Sequence, residues 1–212
     1  MKKKTIIKTI QIKFLVGLAV GGVLVFSYFA ILENAVGLFD KTYSTTDLIN
    51  NFNDKRQEIY ETKRYFNSIV PKYKNVDIEF EDDKIARLVI SPIDTGRGSD
   101  LTVNFQDWNI PIKSKKTDSL LAVLGWNTVT LRTLKTKLDN ANCISIANGE
   151  PTTIGFQRSG MGMYSFDVFN KPIPDSLKAR YNDSCMFIYV NKTLVLEYGG
   201  GAFGSQCFAK EK

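Results

Sequence analysis

The sequence predicts the α+β class: a single N-terminal transmembrane helix followed by a mainly antiparallel sheet with packed helices. Three observations carry this. Residues 14–32 form a charge-free apolar run, the C-terminal half alternates apolar and polar residues in short bursts, and segments of helical apolar spacing are mixed among those bursts without regular βαβ alternation. A chain of 212 residues with 43% apolar and 12% aromatic side chains has material for one core of ordinary size. The expected organisation is a basic N-terminus over residues 1–13, a signal-anchor span over 14–32, a connection over 33–43 and an extracytoplasmic α+β domain over 44–212.

The span FLVGLAVGGVLVFSYFAIL, Phe14 to Leu32, holds 19 residues without a charge. As a helix rising about 1.5 Å per residue it approaches the roughly 30 Å hydrocarbon thickness. Lys2, Lys3, Lys4, Lys8 and Lys13 precede it, while Glu33, Asp40 and Lys41 follow. The positive-inside rule then puts the N-terminus in the cytoplasm and the body outside, in a single-pass protein of the cytoplasmic (inner) membrane whose first partner is the lipid bilayer. The rival expectation is a cleaved signal peptide, with Ala35-Val36-Gly37 as a small-x-small site; a signal h-region is typically about 7 to 15 residues, shorter than this run. No cysteine follows that would make a lipoprotein. Gly17 and Gly21 form a G-x-x-x-G pair, the spacing at which two membrane helices approach closely, and so supply a helix-dimer face for a homodimer. The net charge of +6 belongs mostly to the same region: without its five lysines the chain has 23 basic and 22 acidic residues. A body so nearly neutral gives no ground for a nucleic-acid partner.

Along the exported part, residues 44–70 predict one long helix, with Leu48, Phe52, Ile59, Phe66 and Ile69 on one stripe, an S-x-x-D start at Ser44 and Asp47, and a stop at Pro71. Alternation at Val76, Ile78 and Phe80 predicts a half-buried strand turning at Asp82-Asp83 into a second, with LTVNFQDW as a third. Asp77, Glu79 and Glu81 share the opposite face of the first strand; three carboxylates in a row can bind a divalent cation or work as an acid/base pair, and the same pattern describes a solvated strand face, which is the reading preferred here. Helices follow over TDSLLAVLGW and over TVTLRTLKTKLDN, the latter capped by Asn127. CISIAN is a strand, and two hairpins turn at Ser159–Gly162 and at Asn191-Lys192, with a short helix in PIPDSLKARY between them.

Three cysteines in an exported domain permit one disulfide and one free thiol. Cys185 opens a strand of the last hairpin, and the glycines after Tyr198 let the chain double back, so Cys185–Cys207 is the favoured pair with Cys143 left as a buried thiol; Cys143–Cys207 is nearly as reasonable.

The chain has no histidine, which excludes Ser-His and Cys-His nucleophile pairs, imidazole bases and histidine metal sites. No S-x-x-K and no P-loop occurs. Gly199, Gly201 and Gly204 spell G-x-G-x-x-G, yet only eight residues follow, too few for the helix that would face a pyrophosphate, so no cofactor is expected. Asp94-Thr95-Gly96 matches the D-T-G of aspartic proteases and resembles the retroviral type, in which two chains each supply an aspartate; the resemblance implies Asp94 as the catalytic candidate and Val123 to Asn127 as the apolar-apolar-Gly partner. Pro92 interrupts the apolar strand that should precede the Asp, and about 30 residues between the two elements leave little room for a flap. The expected function is therefore a membrane-anchored extracytoplasmic binding or assembly protein with a protein partner, more a binder than an enzyme. The alternatives are a histidine-free carboxylate hydrolase and a membrane-held immunity or inhibitor protein.

Overall fold

Alternation of apolar and polar residues along Val76–Glu81 becomes the middle of an eight-stranded sheet. In the computed structural model of the chain, residues 27–28, 41–93, 105–160, 162–199 and 206–209 are described. The chain divides into two units, Met1–Lys41 and Thr42–Lys212. Of the first, Ser27 and Tyr28 are helical and exposed. The second runs α1 (Thr45–Asp54), α2 (Arg56–Ile69), β1 (Lys74–Glu81), β2 (Lys84–Pro92), β3 (Phe105–Pro111), α3 (Lys115–Leu124), α4 (Thr128–Asn140), β4 (Ser145–Ala147), β5 (Thr152–Ser159), β6 (Gly162–Val168), α5 (Asp175–Lys178), β7 (Phe187–Asn191) and β8 (Leu194–Gly199). The strands form one sheet in the order β3-β2-β1-β4-β5-β6-β8-β7, and every neighbouring pair is antiparallel.

The expected class is corrected on two counts. The described chain is dominated by one large antiparallel sheet of eight strands with few helices, and among the described residues no helix is long and apolar enough to cross a membrane. The longest described helix, α2, has 14 residues and carries an apolar stripe rather than an apolar circumference. Residues 14–26 and 29–32 of the expected span, with Gly17 and Gly21, lie outside the described residues. The transmembrane assignment, single-pass and signal-anchor, is therefore not carried forward.

The single helix expected over residues 44–70 is two. Ser44 caps α1 through a capping box: its hydroxyl accepts from the Asp47 amide at 3.1 Å, and its own amide donates to Asp47 Oδ2 at 2.8 Å. The α1 segment then runs through Asn50, Asn51, Asn53 and Asp54, all weak helix formers, and Lys55 leaves helical geometry at φ −113°, ψ 20° before α2 begins. Ser114 caps α3, which ends on Gly125 in the left-handed region at φ 66°, and Asn127 Oδ1 caps α4 by accepting from the Thr130 amide at 2.9 Å.

The main core lies between these helices and one face of the sheet. Ile59 and Phe66 of α2 and Leu131, Leu134 and Leu138 of α4 pack in one cluster with Val76, Ile78, Leu88, Ile146, Ile154 and Phe166, all buried. The Trp126 indole, also buried, donates to the Ile69 carbonyl at 2.8 Å and fastens the α3–α4 turn to the end of α2. A second, smaller cluster of Phe169, Ile173 and Val195 with Tyr181, Phe187 and Tyr189 sits at the β7–β8 end. Val195 belongs to it while Leu194 and Leu196 belong to the main core, so the alternation of β8 puts the small cluster on the other face of the sheet.

Candidate functional site: a groove across the open face of the sheet

The sheet face turned away from α1–α4 carries a concavity of about 640 Å³, and strand register explains its shape. One row of residues in register crosses all eight strands. It starts with Trp108, Arg87 and Glu79, passes through Ser145, Gly155 and Ser165, and ends at Glu197 and Phe187. The adjacent row on the same face places Asp77, Ala147, Thr153 and Asp167 side by side. Large and charged residues thus stand at the flanks, and small ones form the floor. Gly155 is required there, since a Cβ at that position would overlap the Ser145 hydroxyl. With strands about 4.8 Å apart, the four steps from Glu79 to Glu197 span roughly 19 Å, the length of five or six extended residues.

The first flank is an ion-pair cluster. Glu79 is only 3% exposed, and Arg158 grips both of its oxygens, Nε on Oε1 and Nη2 on Oε2 at 2.6 Å. Arg87 donates to Asp77 at 2.6 Å, and its Nε stands 3.7 Å from Glu79, buried and without a hydrogen-bond partner among the described residues. Arg158 reaches this face because of a bulge: the β5–β6 register shifts between Gly155 and Gln157, which keeps Phe156 in the core and turns Arg158 back toward Glu79. Burial pushes the Asp77 carboxyl above its ordinary range even against the adjacent Arg87, while its hydrogen bonds to Glu79 hold the Arg158 guanidinium more firmly protonated. Of the three carboxylates expected to form a solvated face, Asp77 and Glu79 are packed and neutralised by arginines from two other strands, while Glu81 is exposed beside Lys84 as expected. Trp108, at the edge beyond Arg87, is 53% exposed.

The second flank is acidic and unneutralised. Asp167 is 3% exposed, and the Thr153 hydroxyl donates to its Oδ1 at 2.7 Å. Burial raises its carboxyl to about 6. Glu197, one strand over, lines the groove; burial and then the neighbouring Asp167 raise it to about 7. Among the described residues no hydrogen bond or ion pair reaches the Glu197 carboxylate.

The residues singled out from sequence lie elsewhere or at the rim. Asp94-Thr95-Gly96 lies outside the described residues, and Val123–Asn127 is the end of α3 and the turn into α4. Cys185 and Cys207 are joined in a disulfide, and Phe208 beside it donates its amide to the Cys185 carbonyl at 2.9 Å and packs on Tyr164 and Tyr198. Cys143 is a buried free thiol whose pKa burial raises far above the usual thiol range. Gly199 closes β8 and lines the groove, while Gly201 and Gly204 lie outside the described residues. Among the described residues no group of three or more histidines, cysteines, aspartates or glutamates is placed to hold a metal ion. Sequence reasoning missed Arg87, Arg158, Asp167, Glu197 and Trp108. A signal existed for two of them, since YSFDVF and LVLEY each set one acid inside an otherwise apolar strand.

No known protein family, curated protein or solved structure matches the chain.

Proposed function

We propose that the chain is an extracytoplasmic binding module that receives a short, basic segment of a partner polypeptide in the transverse groove. The observation that carries this reading is the eight-strand row with a Ser145-Gly155-Ser165 floor between charged flanks. A sheet face that only met solvent would not need a glycine to accommodate a close Ser145, nor buried ion pairs from three strands. The floor region holds four carboxylates, Asp77, Glu79, Asp167 and Glu197, against two guanidiniums, Arg87 and Arg158, on a body that is otherwise nearly neutral. That local excess of negative charge favours a cationic partner. Location outside the cytoplasm is supported by the Cys185–Cys207 disulfide, a bond characteristic of oxidising compartments. The test is to fill the floor with Ala147→Trp. A photo-crosslinking residue at Gln106 should capture a partner in cells that naturally make the protein, and the filled variant should lose that capture while keeping its melting temperature. Capture unchanged by the bulky floor residue would refute the groove.

A second reading, a carboxylate-dependent hydrolase, is favoured by one observation: Asp167 and Glu197 are both held near neutral pKa, at about 6 and about 7. It requires cleavage of a generic protein substrate by the purified chain that disappears in Glu197→Gln, or in Asp94→Asn for the D-T-G version. Absence of cleavage across pH 4 to 8 removes it.

A further inference from the structure

Resting on the groove reading, we infer that Glu197, with Asp167 beside it, is the subsite for one cationic side chain of the partner, a lysine ammonium or an arginine guanidinium. The groove has two unlike ends. At the Arg158 end every charged group faces an opposite charge: Glu79 is gripped by Arg158, and Asp77 by Arg87. That end is electrostatically complete. At the other end Asp167 is buried with one hydroxyl as its partner, and Glu197 lines the cavity with neither a hydrogen bond nor an ion pair among the described residues. Two carboxylates on adjacent strands with no cation between them repel each other and lose solvation.

Small residues also stand next to Glu197 along the floor. Its register partner across to β6 is Ser165, the next rung pairs Met163 with Gly199, and beyond Ser165 lies Gly155. The Met163 thioether lies over Gly155 and the Met186 thioether over Gly199, so a long side chain entering along this floor slides past two flexible, unbranched methionines to reach the carboxylate. The apolar cluster around Phe187 and Tyr189 backs the site on its outer side, where it shields the charge pair from water and strengthens it. A cation bound there restores to Glu197 and Asp167 what burial removes, which a neutral or anionic side chain cannot do.

The experiment titrates the full chain with the capped tripeptide acetyl-Gly-Lys-Gly-amide, its acetyl-lysine counterpart and calcium chloride, at pH 8, and follows the resonances of Ser165, Glu197 and Gly199 by NMR. The lysine peptide should shift these three signals, and Glu197→Gln should weaken it about tenfold or more, as loss of a charge-assisted hydrogen bond does. Acetylating the lysine should have the same effect, while Asp139→Asn, which removes an exposed acid from α4, should change nothing. Three results overturn the inference: equal binding by Glu197→Gln or by the acetylated peptide, no shift up to about 10 mM peptide, which is weaker than any useful subsite, or calcium shifting the three signals where the peptide does not. Each leaves the groove itself to the Ala147→Trp test, so the two failures are distinguishable. Should Glu197→Gln alter folding, Asp167→Asn, which keeps the Thr153 hydrogen bond, serves as the second variant and should also weaken the lysine peptide.

Discussion

The two faces of the sheet are built on different physics, and the difference separates what holds this chain together from what it presents. The covered face is apolar: Ile78, Leu88, Ile154 and Phe166 meet Phe66, Leu131 and Leu134 from the helices, all within 1% of full burial. The open face, outside the small Phe169–Ile173–Val195 cluster at its β7–β8 end, buries charge instead, with Glu79 and Asp167 each 3% exposed. Apolar burial is favourable wherever it happens, whereas a buried carboxylate costs free energy unless a partner compensates it. An open face that retains buried carboxylates, one end compensated and the other not, is therefore poorly explained by stability alone.

The comparison is sharpest where each face is damaged in turn. Phe66→Ala on the covered face should lower unfolding free energy by about 3 to 5 kcal/mol in urea denaturation and leave lysine-peptide binding intact in the fraction that folds. Breaking the Cys185–Cys207 bond, which spans a 22-residue separation, should cost about 3 kcal/mol in the chain-entropy model and loosen the β7–β8 end first; amide exchange confined to β1–β3 would contradict that.

The acidic end gives a pH signature of unusual sign. Asp167 and Glu197 have folded-state pKa values of about 6 and about 7, above the 3.8 and 4.5 of the unperturbed groups. The native state therefore binds more protons than the unfolded chain between those limits, so stability from these groups is fully present below about pH 4 and lost as pH rises through 6 to 7. For Asp167 alone this is on the order of 3 kcal/mol. Asp167→Asn should flatten that decline in a series of melts; a decline of unchanged slope would show that the carboxyl is not protonated in the fold. At the other extreme, Trp108→Ala should shift stability by less than about 0.5 kcal/mol, because its ring is half exposed, while reducing partner capture at the groove.

Much of the local structure was legible in the sequence, because turns and caps are short-range. Asn127 capping α4, the Asp82-Asp83 turn and the two later hairpins each rest on a few consecutive residues. The long helix was mispredicted at Lys55, since its apolar stripe continues through the break while the run of asparagines that interrupts it leaves no mark on the spacing. The assembly of all the strands into one sheet, and the groove with it, was not legible. Arg87 and Arg158 lie 71 residues apart and meet at Glu79 only through a strand order in which β1 pairs with β4. The bulge at Gly155–Gln157 inverts the alternation that would have assigned Arg158 a face. Asp167 and Glu197 stood in apolar strands as single acids, but that they are neighbours follows from the β6–β8 pairing, which skips β7.

The central claim, that the open face is the binding face, is tested most directly by placing one photo-crosslinking residue at Gln106 in the groove and another at Val129, 71% exposed on α4, in otherwise identical chains. Discrete adducts from Gln106 that vanish in Ala147→Trp, with none from Val129, are what the account predicts. Adducts from Val129 alone, or from Gln106 at equal yield with and without the bulky floor residue, would contradict it.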